Sequence, residues 1–248
     1  MRGRSALVLG LLAYGAFLAA TLPASLVADR VAAATGGRVT VESPEGSLWN
    51  GRGRVTIANA GSSFPLEAVR WRLEPARLFL GEAAFAVEAN RAGFSAAAVV
   101  ARTFGETRIR DLKAAGPAAA LAPLFPLASS WQPEGTVTAS SESLAFDGRE
   151  TRGAATIEWR DAALSLAPAR PLGSWKAELA GKGPDLEIAL ATQKGPLRLA
   201  GKGRLAASGK LEFGGTASAD PGREKELEAL LALIGPRRPD GLTAITVR

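Results

Sequence analysis

The sequence contains no cysteine and no histidine among its 248 residues. Disulfide frameworks, cysteine nucleophiles, Cys/His zinc sites and every catalytic triad that needs an imidazole are therefore excluded. The lack of cysteine does not fix the compartment, because oxidising compartments permit disulfides without requiring them. Much of the enzyme repertoire is excluded along with these two residue types.

Aromatic residues and excess charge are also scarce. Aromatic residues make up 6% of the chain, whereas the hydrophobic fraction of 47% is ordinary for a folded protein. The formal net charge is +6, but Arg2 and Arg4 precede an apolar segment, which leaves only +4 over residues 29–248. Because a nucleic-acid surface needs concentrated positive charge, we expect no nucleic-acid partner.

The segment Ser5 to Ala28 carries no charged residue. As a helix it would span about 36 Å, enough to cross roughly 30 Å of hydrocarbon. Arg2 and Arg4 before it predict a cytoplasmic N-terminus, with the bulk of the chain outside the membrane. The alternative is a cleaved signal peptide, but the plausible cleavage sites place leucine where a small residue is needed. We therefore favour an uncleaved, single-pass anchor.

Beyond residue 36 the pattern changes from helical to strand periodicity. Gly36 and Gly37 are expected to end the opening helix, and residues 38–42 then alternate polar and apolar. Further alternating segments follow, most of them separated by short turn signals, which predicts a mainly β protein built as an antiparallel meander. The predicted strands include Gly53–Ala58, Leu66–Leu73, Ala83–Ala89, Ser95–Arg102, Gly105–Leu112, Gly135–Ala139, Leu144–Phe146, Ala155–Trp159, Ala163–Leu166, Trp175–Leu179, Leu186–Ala191, Leu197–Leu199 and Lys210–Ala219.

Two interruptions of this strand pattern look helical. Lys113–Ala128 is apolar but contains three prolines, which favours a short helix or a packed crossover over a long helix. Gly222–Ile234 begins with charges, continues with leucines at helical spacing and is followed by Gly235-Pro236. It predicts a short C-terminal amphipathic helix that packs on the sheet.

The predicted domain organisation is simple. Residues 1–35 form the cytoplasmic start and the transmembrane anchor, and residues 36–248 form one β-rich domain. Glu45-Gly46 followed by Trp71 recurs as Glu134-Gly135 followed by Trp159, at offsets of 89 and 88. This similarity indicates two related β-units, 36–112 and 129–219, in one curved sheet. Chance similarity between short alternating strands is an equal alternative.

No segment of the sequence matches a catalytic motif. The segment Gly195–Lys202 partly matches the phosphate-loop motif. However, five residues separate its two glycines instead of four, and Gly203 stands where the motif needs a serine or threonine to bind magnesium. A carboxylate pair such as Glu45 with Glu134 is conceivable, although solvated strand residues are the default interpretation. We therefore predict no enzyme and no catalytic, cofactor-binding or metal-binding residue.

Tryptophans stand out in a sequence of small residues. Trp49 lies between glycines at a predicted strand start, and Trp71 lies where a strand ends against Pro75. We expect both to anchor the sheet, because burying such a ring is worth roughly 3 to 5 kcal/mol relative to alanine. For Trp49 the alternative is an exposed contact with a partner.

Several segments follow one another in an order typical of a known family. These are an anchor ending in Leu22-Pro23-Ala24, then residues 46–51 (GSLWNG), residues 69–75 (VRWRLEP), residues 78–81 (LFLG), residues 229–235 (ALLALIG) and a final strand, Leu242–Val247. In this order the chain resembles protein N of the type II secretion system over nearly its whole length. It departs in Ser47, where threonine is usual, in Ile234, where leucine is usual, and in a terminus that stops soon after the final strand.

The resemblance implies an accessory component of the bacterial inner membrane with most of its mass in the periplasm. Such a component contributes, through protein–protein contacts with other secretion components, to the export of folded proteins across the outer membrane. The resemblance implies neither catalysis nor a cofactor, and it does not indicate which component is contacted.

A second class also fits the broad architecture. The chain resembles AsmA-like and lipopolysaccharide-bridge proteins, in which an anchored sheet carries lipid along a groove. A lipid carrier should show a continuous apolar channel open to the membrane end, whereas a scaffold should fill that space with side chains such as Trp71, Trp159 and Phe213. A third class, a periplasmic hydrolase with a carboxylate pair, has no motif to support it.

Overall fold

The computed structural model shows one open, antiparallel sheet of thirteen strands whose order follows the sequence. It describes residues 14, 15, 17, 18, 20–59, 62–124, 130–206 and 210–247. The strands are β1 Val39–Gly46, β2 Asn50–Asn59, β3 Ser62–Leu73, β4 Ala83–Arg91, β5 Phe94–Arg102, β6 Thr107–Pro117, β7 Glu134–Phe146, β8 Thr151–Ala163, β9 Gly173–Lys182, β10 Asp185–Lys194, β11 Leu197–Leu205, β12 Leu211–Ala219 and β13 Thr243–Val247. The predicted meander is therefore confirmed.

Short helices flank the sheet. They are α1 Ser25–Thr35, α2 Pro75–Leu78, α3 Ala118–Leu121, which continues into a 3-10 helix over Ala122–Leu124, and α4 Glu224–Ile234. The predicted amphipathic helix is confirmed by α4. The one-turn helix α2 was not predicted from the sequence, although Pro75 at its first position is a favourable start.

Two predicted strands in the middle of the chain are wrong in their bounds. Gly135–Ala139 and Leu144–Phe146 belong to one strand, β7, which continues through a bulge between Ser140 and Ser143. The bulge breaks the apolar alternation, which made one strand look like two. Of the predicted strand Ala163–Leu166, only Ala163 is in a strand, and the rest lies in the connection to β9.

The predicted helical interruption Lys113–Ala128 is only partly helical. Its first five residues belong to β6, where Ala114 pairs with Ala96 on one side and Ala139 on the other. Pairing with two neighbouring strands outweighs the weak helix preference of so short a segment. The chain turns helical only after Pro117, and residues 125–128 lie outside the described part of the chain.

The segment Ser5–Ala28, predicted as an anchor, is described only in part. Residues 5–13, 16 and 19 lie outside the described residues. Among the residues that the structure describes, no helix is both long and apolar enough to cross a membrane. The chain leaves the helical conformation at Thr21–Ala24, where Pro23 forms an isolated bridge with Ser47.

Helix α1 lies along the first edge strand of the sheet. The amide of Ala24, just before α1, donates to the carbonyl of Gly46 at 3.2 Å, and at the other end the amide of Val39 donates to Thr35 Oγ1 at 3.1 Å. The helix therefore runs antiparallel to β1. It ends at Gly36, whose φ of 60° is left-handed, as the Gly36-Gly37 pair predicted. Covering an edge strand in this way protects it from unwanted pairing.

Side-chain alternation gives the sheet two different faces. In β10, Leu186, Ile188 and Leu190 lie on one side, and Glu187 and Ala189 lie on the other. The register of the strand pairs extends both sides over the whole sheet. The first side, called the apolar face below, carries Val41, Val55, Val69, Phe85, Val100, Ile109, Leu144, Ile157, Leu179, Ile188, Leu199, Phe213 and Ile245, one from each strand.

The best-buried part of the core lies under α4. Leu227 and Leu230 of this helix are 0% and 3% exposed and pack with Trp175, Leu197 and Leu172. Both leucines lie on one side of α4, while Leu233 is 60% exposed. The helix therefore covers only one part of the apolar face, next to the C-terminal strands.

Phe213 lies against three glycines of its own sheet. Ideal Cβ atoms built on Gly201, Gly203 and Gly215 would lie 2.5, 2.8 and 3.2 Å from atoms of the Phe213 ring. The register of β11 with β12 places these glycines on the apolar face. The ring therefore lies flat on the sheet, which requires that its neighbours have no side chains.

The burial of α4 makes a first prediction. Replacing Leu227 by alanine should lower the free energy of unfolding by about 2–5 kcal/mol, because it leaves a cavity in the core. Replacing the exposed Leu233 of the same helix should change it by no more than about 0.5 kcal/mol. Denaturant titration of both variants in detergent measures this, and equal effects would contradict the packing of α4.

The glycines under Phe213 make a second prediction. Gly201→Ala should destabilise the protein by about 1–3 kcal/mol, because the new methyl group meets the Phe213 ring and the Gly214 carbonyl. Gly214→Ala is the matched control, since nothing lies within 4 Å of its Cβ position. Thermal unfolding of the two variants distinguishes them, and a neutral Gly201→Ala would refute the flat packing of Phe213.

Candidate functional site

The apolar face of the sheet is the candidate functional surface. It continues across all thirteen strands, and the described elements contain no second sheet to pack against it. α4 contacts β12 and β13 at one side, and the 3-10 helix reaches β3 at the other. Such an extended apolar surface normally marks a contact with a protein or a lipid.

Side chains in the middle of this face remain accessible. Ile157, in the centre of β8, is 39% exposed, while Ile188, Leu199 and Val100 are half-buried. Their neighbours on the adjacent strands are mainly small: Ile157 pairs with Ala139 and Ala177. The face is thus smooth and apolar, with few projecting groups.

The opposite face is polar and charged. It carries, among others, Thr56, Arg70, Glu88, Lys113, Thr156, Glu178, Glu187, Lys202 and Glu212. Arg52, Arg70, Arg72, Ala86 and Glu88 are among the residues that line an open hollow of about 420 Å³ between β2, β3 and β4. Its wide mouth and mixed charges are those of an exposed surface.

Ion pairs around Arg152 form a clamp that connects the β5–β6 turn with the β7–β8 turn at one end of the sheet. Arg152 lies 2.5 Å from Glu106, 3.1 Å from Asp147 and 3.0 Å from Glu150. The hydrogen bond from Arg152 lowers the pKa of the Glu106 carboxyl below its ordinary value, desolvation opposes this, and Arg108 adds to the lowering. The lowered pKa keeps the Glu106 carboxylate ionised, which suits a structural link and not a proton carrier.

The two carboxylates Glu45 and Glu134 do not form a pair. Glu45, near the end of β1, lies 2.5 Å from Arg52, whereas Glu134, at the start of β7, lies 2.8 Å from Arg170. The order of the strands keeps the two carboxylates six strands apart. Among the described residues, no group of three or more acidic side chains could hold a metal ion.

The candidate phosphate loop is a turn followed by a strand. Gly195 and Pro196 connect β10 to β11, and Leu197 begins β11. Lys202 lies within β11 on the polar face and is exposed. The segment therefore has no cradle of backbone amides for a phosphate, as its irregular spacing indicated.

Trp71 has the structural role predicted for it. Its ring is 6% exposed and lies over Gly51, whose Cβ would be 2.4 Å from the ring. Its indole Nε1 donates to the carbonyls of Ser47 at 3.3 Å and Leu48 at 3.2 Å. Trp71 thereby fixes the β1–β2 turn, which contains the half-buried Trp49. The partner role of Trp49 stays a prediction.

Trp159 and Trp175 form a second aromatic group on the apolar face. Their rings meet edge to face with centroids 5.4 Å apart. The Trp159 Nε1 donates to the Glu134 carbonyl at 2.9 Å, and the Trp175 Nε1 donates to the Leu197 carbonyl at 3.1 Å. Both indole N–H groups thus donate to backbone carbonyls of the sheet, which fixes the two rings on the apolar face.

The fold is that of a mainly β protein, a single-layer antiparallel sheet with one apolar face. The family model of type II secretion system protein N matches residues 37–246. Because the match covers most of the sequence, the chain belongs to the type II secretion system protein N family. No curated protein and no solved structure matches the chain.

Family membership confirms the resemblance found in the sequence. It implies a role in type II secretion and a place in the cell envelope, and the family is a structural component of the secretion machinery. The sequence motifs thus identified the family, but they did not indicate the surface. The alternation in each strand was visible, whereas the register that joins thirteen strands into one face was not.

The clamp around Arg152 generates a third prediction. Arg152→Ala should raise the pKa of Glu106 towards its ordinary value, because the hydrogen bond that lowers it most is lost. In the wild type, the stabilisation from Glu106 is present above the pKa of the unfolded chain and is lost as the pH falls through the lower folded pKa. Carboxyl NMR titration measures the shift. Arg149→Ala in the same turn is the control, and an equal shift there would contradict the assignment.

Proposed function

We propose that this chain is an accessory component of the type II secretion system, anchored in the inner membrane through Ser5–Ala28. In this proposal residues 36–248 lie in the periplasm, and the apolar face contacts another secretion component during the export of folded proteins. The observation that carries the proposal is an apolar face thirteen strands wide with no second sheet over it among the described residues.

The chemistry of the two faces supports a contact on one side only. Charged residues such as Lys113, Glu178 and Lys202 keep the polar face hydrated. The apolar face offers aliphatic groups around the accessible Ile157. An amphipathic helix or strand of a secretion component would bury its own apolar side there and leave its polar side in water. Family membership supports a protein of the same machinery as the occupant.

A specific observation favours a lipid as the second candidate. Of the three side chains expected to fill a scaffold's interior, Trp159 packs on Trp175, whereas Trp71 and Phe213 lie flat on glycines of their own sheet. The apolar face therefore continues past them without being filled by their rings. An acyl chain needs a continuous apolar path of this kind. The lipid-binding alternative thus keeps a structural argument of its own.

Photocrosslinking in intact cells tests both candidates and is the fourth prediction. A benzophenone side chain replaces Ile157 on the apolar face, and a second variant carries it at Ala154, which is exposed on the opposite face of β8. We expect Ile157 to capture a secretion protein and Ala154 to capture none.

Each other outcome has a definite meaning. Capture of lipid alone at Ile157 would replace the scaffold role by lipid binding. Equal capture of the same protein at both positions would show that the apolar face is not the contact surface. Ile157 is preferable to Phe213 for this purpose, because replacing Phe213 disturbs its packing on Gly201 and Gly203.

A further inference from the structure

We propose that one end of the sheet rests on the surface of the membrane that holds the N-terminal segment, with Phe79, Leu80 and Phe104 in the lipid interface. The part of this end next to the N-terminal segment, called the anchor end below, consists of the turns at residues 46–50, 78–82 and 103–106. The inference rests on the anchor of the proposed function, and it concerns a surface separate from the apolar face.

The three turns lie at the same end because of the strand pairing. Ala83, the first residue of β4, pairs with Arg102, the last residue of β5. The turn 78–82 and the turn 103–106 therefore adjoin. The amide of Leu73, at the end of β3, donates to the Trp49 carbonyl at 2.6 Å, which joins the turn 46–50 to them.

The N-terminal segment reaches the sheet at this same end. The amide of Leu48 donates to the Leu22 carbonyl at 2.8 Å, and the amide of Ala24 donates to the Gly46 carbonyl at 3.2 Å. Of the uncharged segment 5–28, only residues 25–28 thus follow this junction with the sheet. A bilayer that holds the preceding residues must lie close to the anchor end.

Large apolar side chains project from these turns. Phe79 is 92% exposed, Leu80 is 77% exposed and Phe104 is fully exposed. Phenylalanine is usually inside a folded protein, and the grouping of exposed apolar side chains marks a contact surface. Among the described residues, the far end of the sheet has two exposed leucines, Leu166 in the β8–β9 connection and Leu233 in α4.

The turns hold these side chains outward. Glu82 lies 3.0 Å from Arg110 of β6 and 3.4 Å from Arg77, which fixes the turn 78–82 to the sheet. The turn of Phe104 is closed by the amide of Thr103, which donates to the Glu106 carbonyl at 3.0 Å. These contacts fix both turns, from which Phe79 and Phe104 project into solvent.

A lipid interface fits the chemistry of this end. Apolar rings enter the boundary between head groups and acyl chains, and a neighbouring cation binds phosphate groups. Arg102 next to Phe104 is exposed and has no ion-pair partner among the described residues, although it donates to Thr107 Oγ1. Because the anchor holds the sheet at the membrane, even shallow insertion of a few side chains would be sufficient.

The absence of cysteine permits a direct test with the full chain. Single variants Phe79→Cys and Phe104→Cys are labelled with an environment-sensitive nitrobenzoxadiazole dye and reconstituted into vesicles of phosphatidylcholine and phosphatidylglycerol. Leu166→Cys and Ala92→Cys, exposed at the far end, are the controls. As the fifth prediction, we expect the labels at 79 and 104 to emit at shorter wavelength and to lose intensity with nitroxide-bearing lipids. The control labels should do neither.

Flotation of the vesicles tests the membrane anchor independently of the contact between the anchor end and the lipid interface. A chain that floats with the vesicles while the labels at 79 and 104 report water overturns the inference and leaves the anchor intact. A chain that does not float overturns the anchor and the inference together. Quenching of all four labels, or a shifted emission at 79 and 104 without quenching by lipid, also overturns the inference, because it indicates unspecific burial or a protein contact.

Discussion

The pairing of each strand with its neighbour in sequence is the constraint on which the whole structure depends. A strand alternates its side chains with a period of two, so a slip of one residue would exchange the faces of that strand. Bulges keep the faces in phase where the sequence breaks the alternation. Ile109 and Leu112 both lie on the apolar face although they are three positions apart, because Asp111 between them has a φ of 51° and a bulge absorbs one residue.

A single-layer sheet must also stabilise itself without a facing sheet. It does so partly by laying aromatic rings on glycines, as Trp71 does on Gly51 and Phe213 on Gly201. Each ring then buries its own surface against the backbone, because glycine has no side chain that would keep the ring away. Among the described elements, α4 covers the most deeply buried leucines, and the 3-10 helix over 122–124 contacts β3. Side chains in the middle of the apolar face, such as Ile157, stay partly exposed.

Local sequence patterns predicted most of the strands and the family. Features that depend on residues distant in sequence were not predicted. Leu186, Ile188 and Leu190 gave a clear strand because alternation is local. The unity of β7 was missed because the serines at its bulge look like a turn, and the strand nature of Ala114 was missed because two distant strands hold it. The candidate surface escaped for the same reason, since Ile157 becomes part of a face only through the register of its neighbours.

Protection of one sheet edge sets the geometry of any self-association. α1 lies along β1, whereas β13 is covered only near its start, where the amide of Ala244 donates to the Pro236 carbonyl at 2.9 Å. Joining copies through unlike edges would need both edges open, and it would propagate into a filament. With β1 occupied, edge pairing can join only β13 to β13, and such a pair is two-fold symmetric. Growth through the sheet edges would therefore stop at two copies.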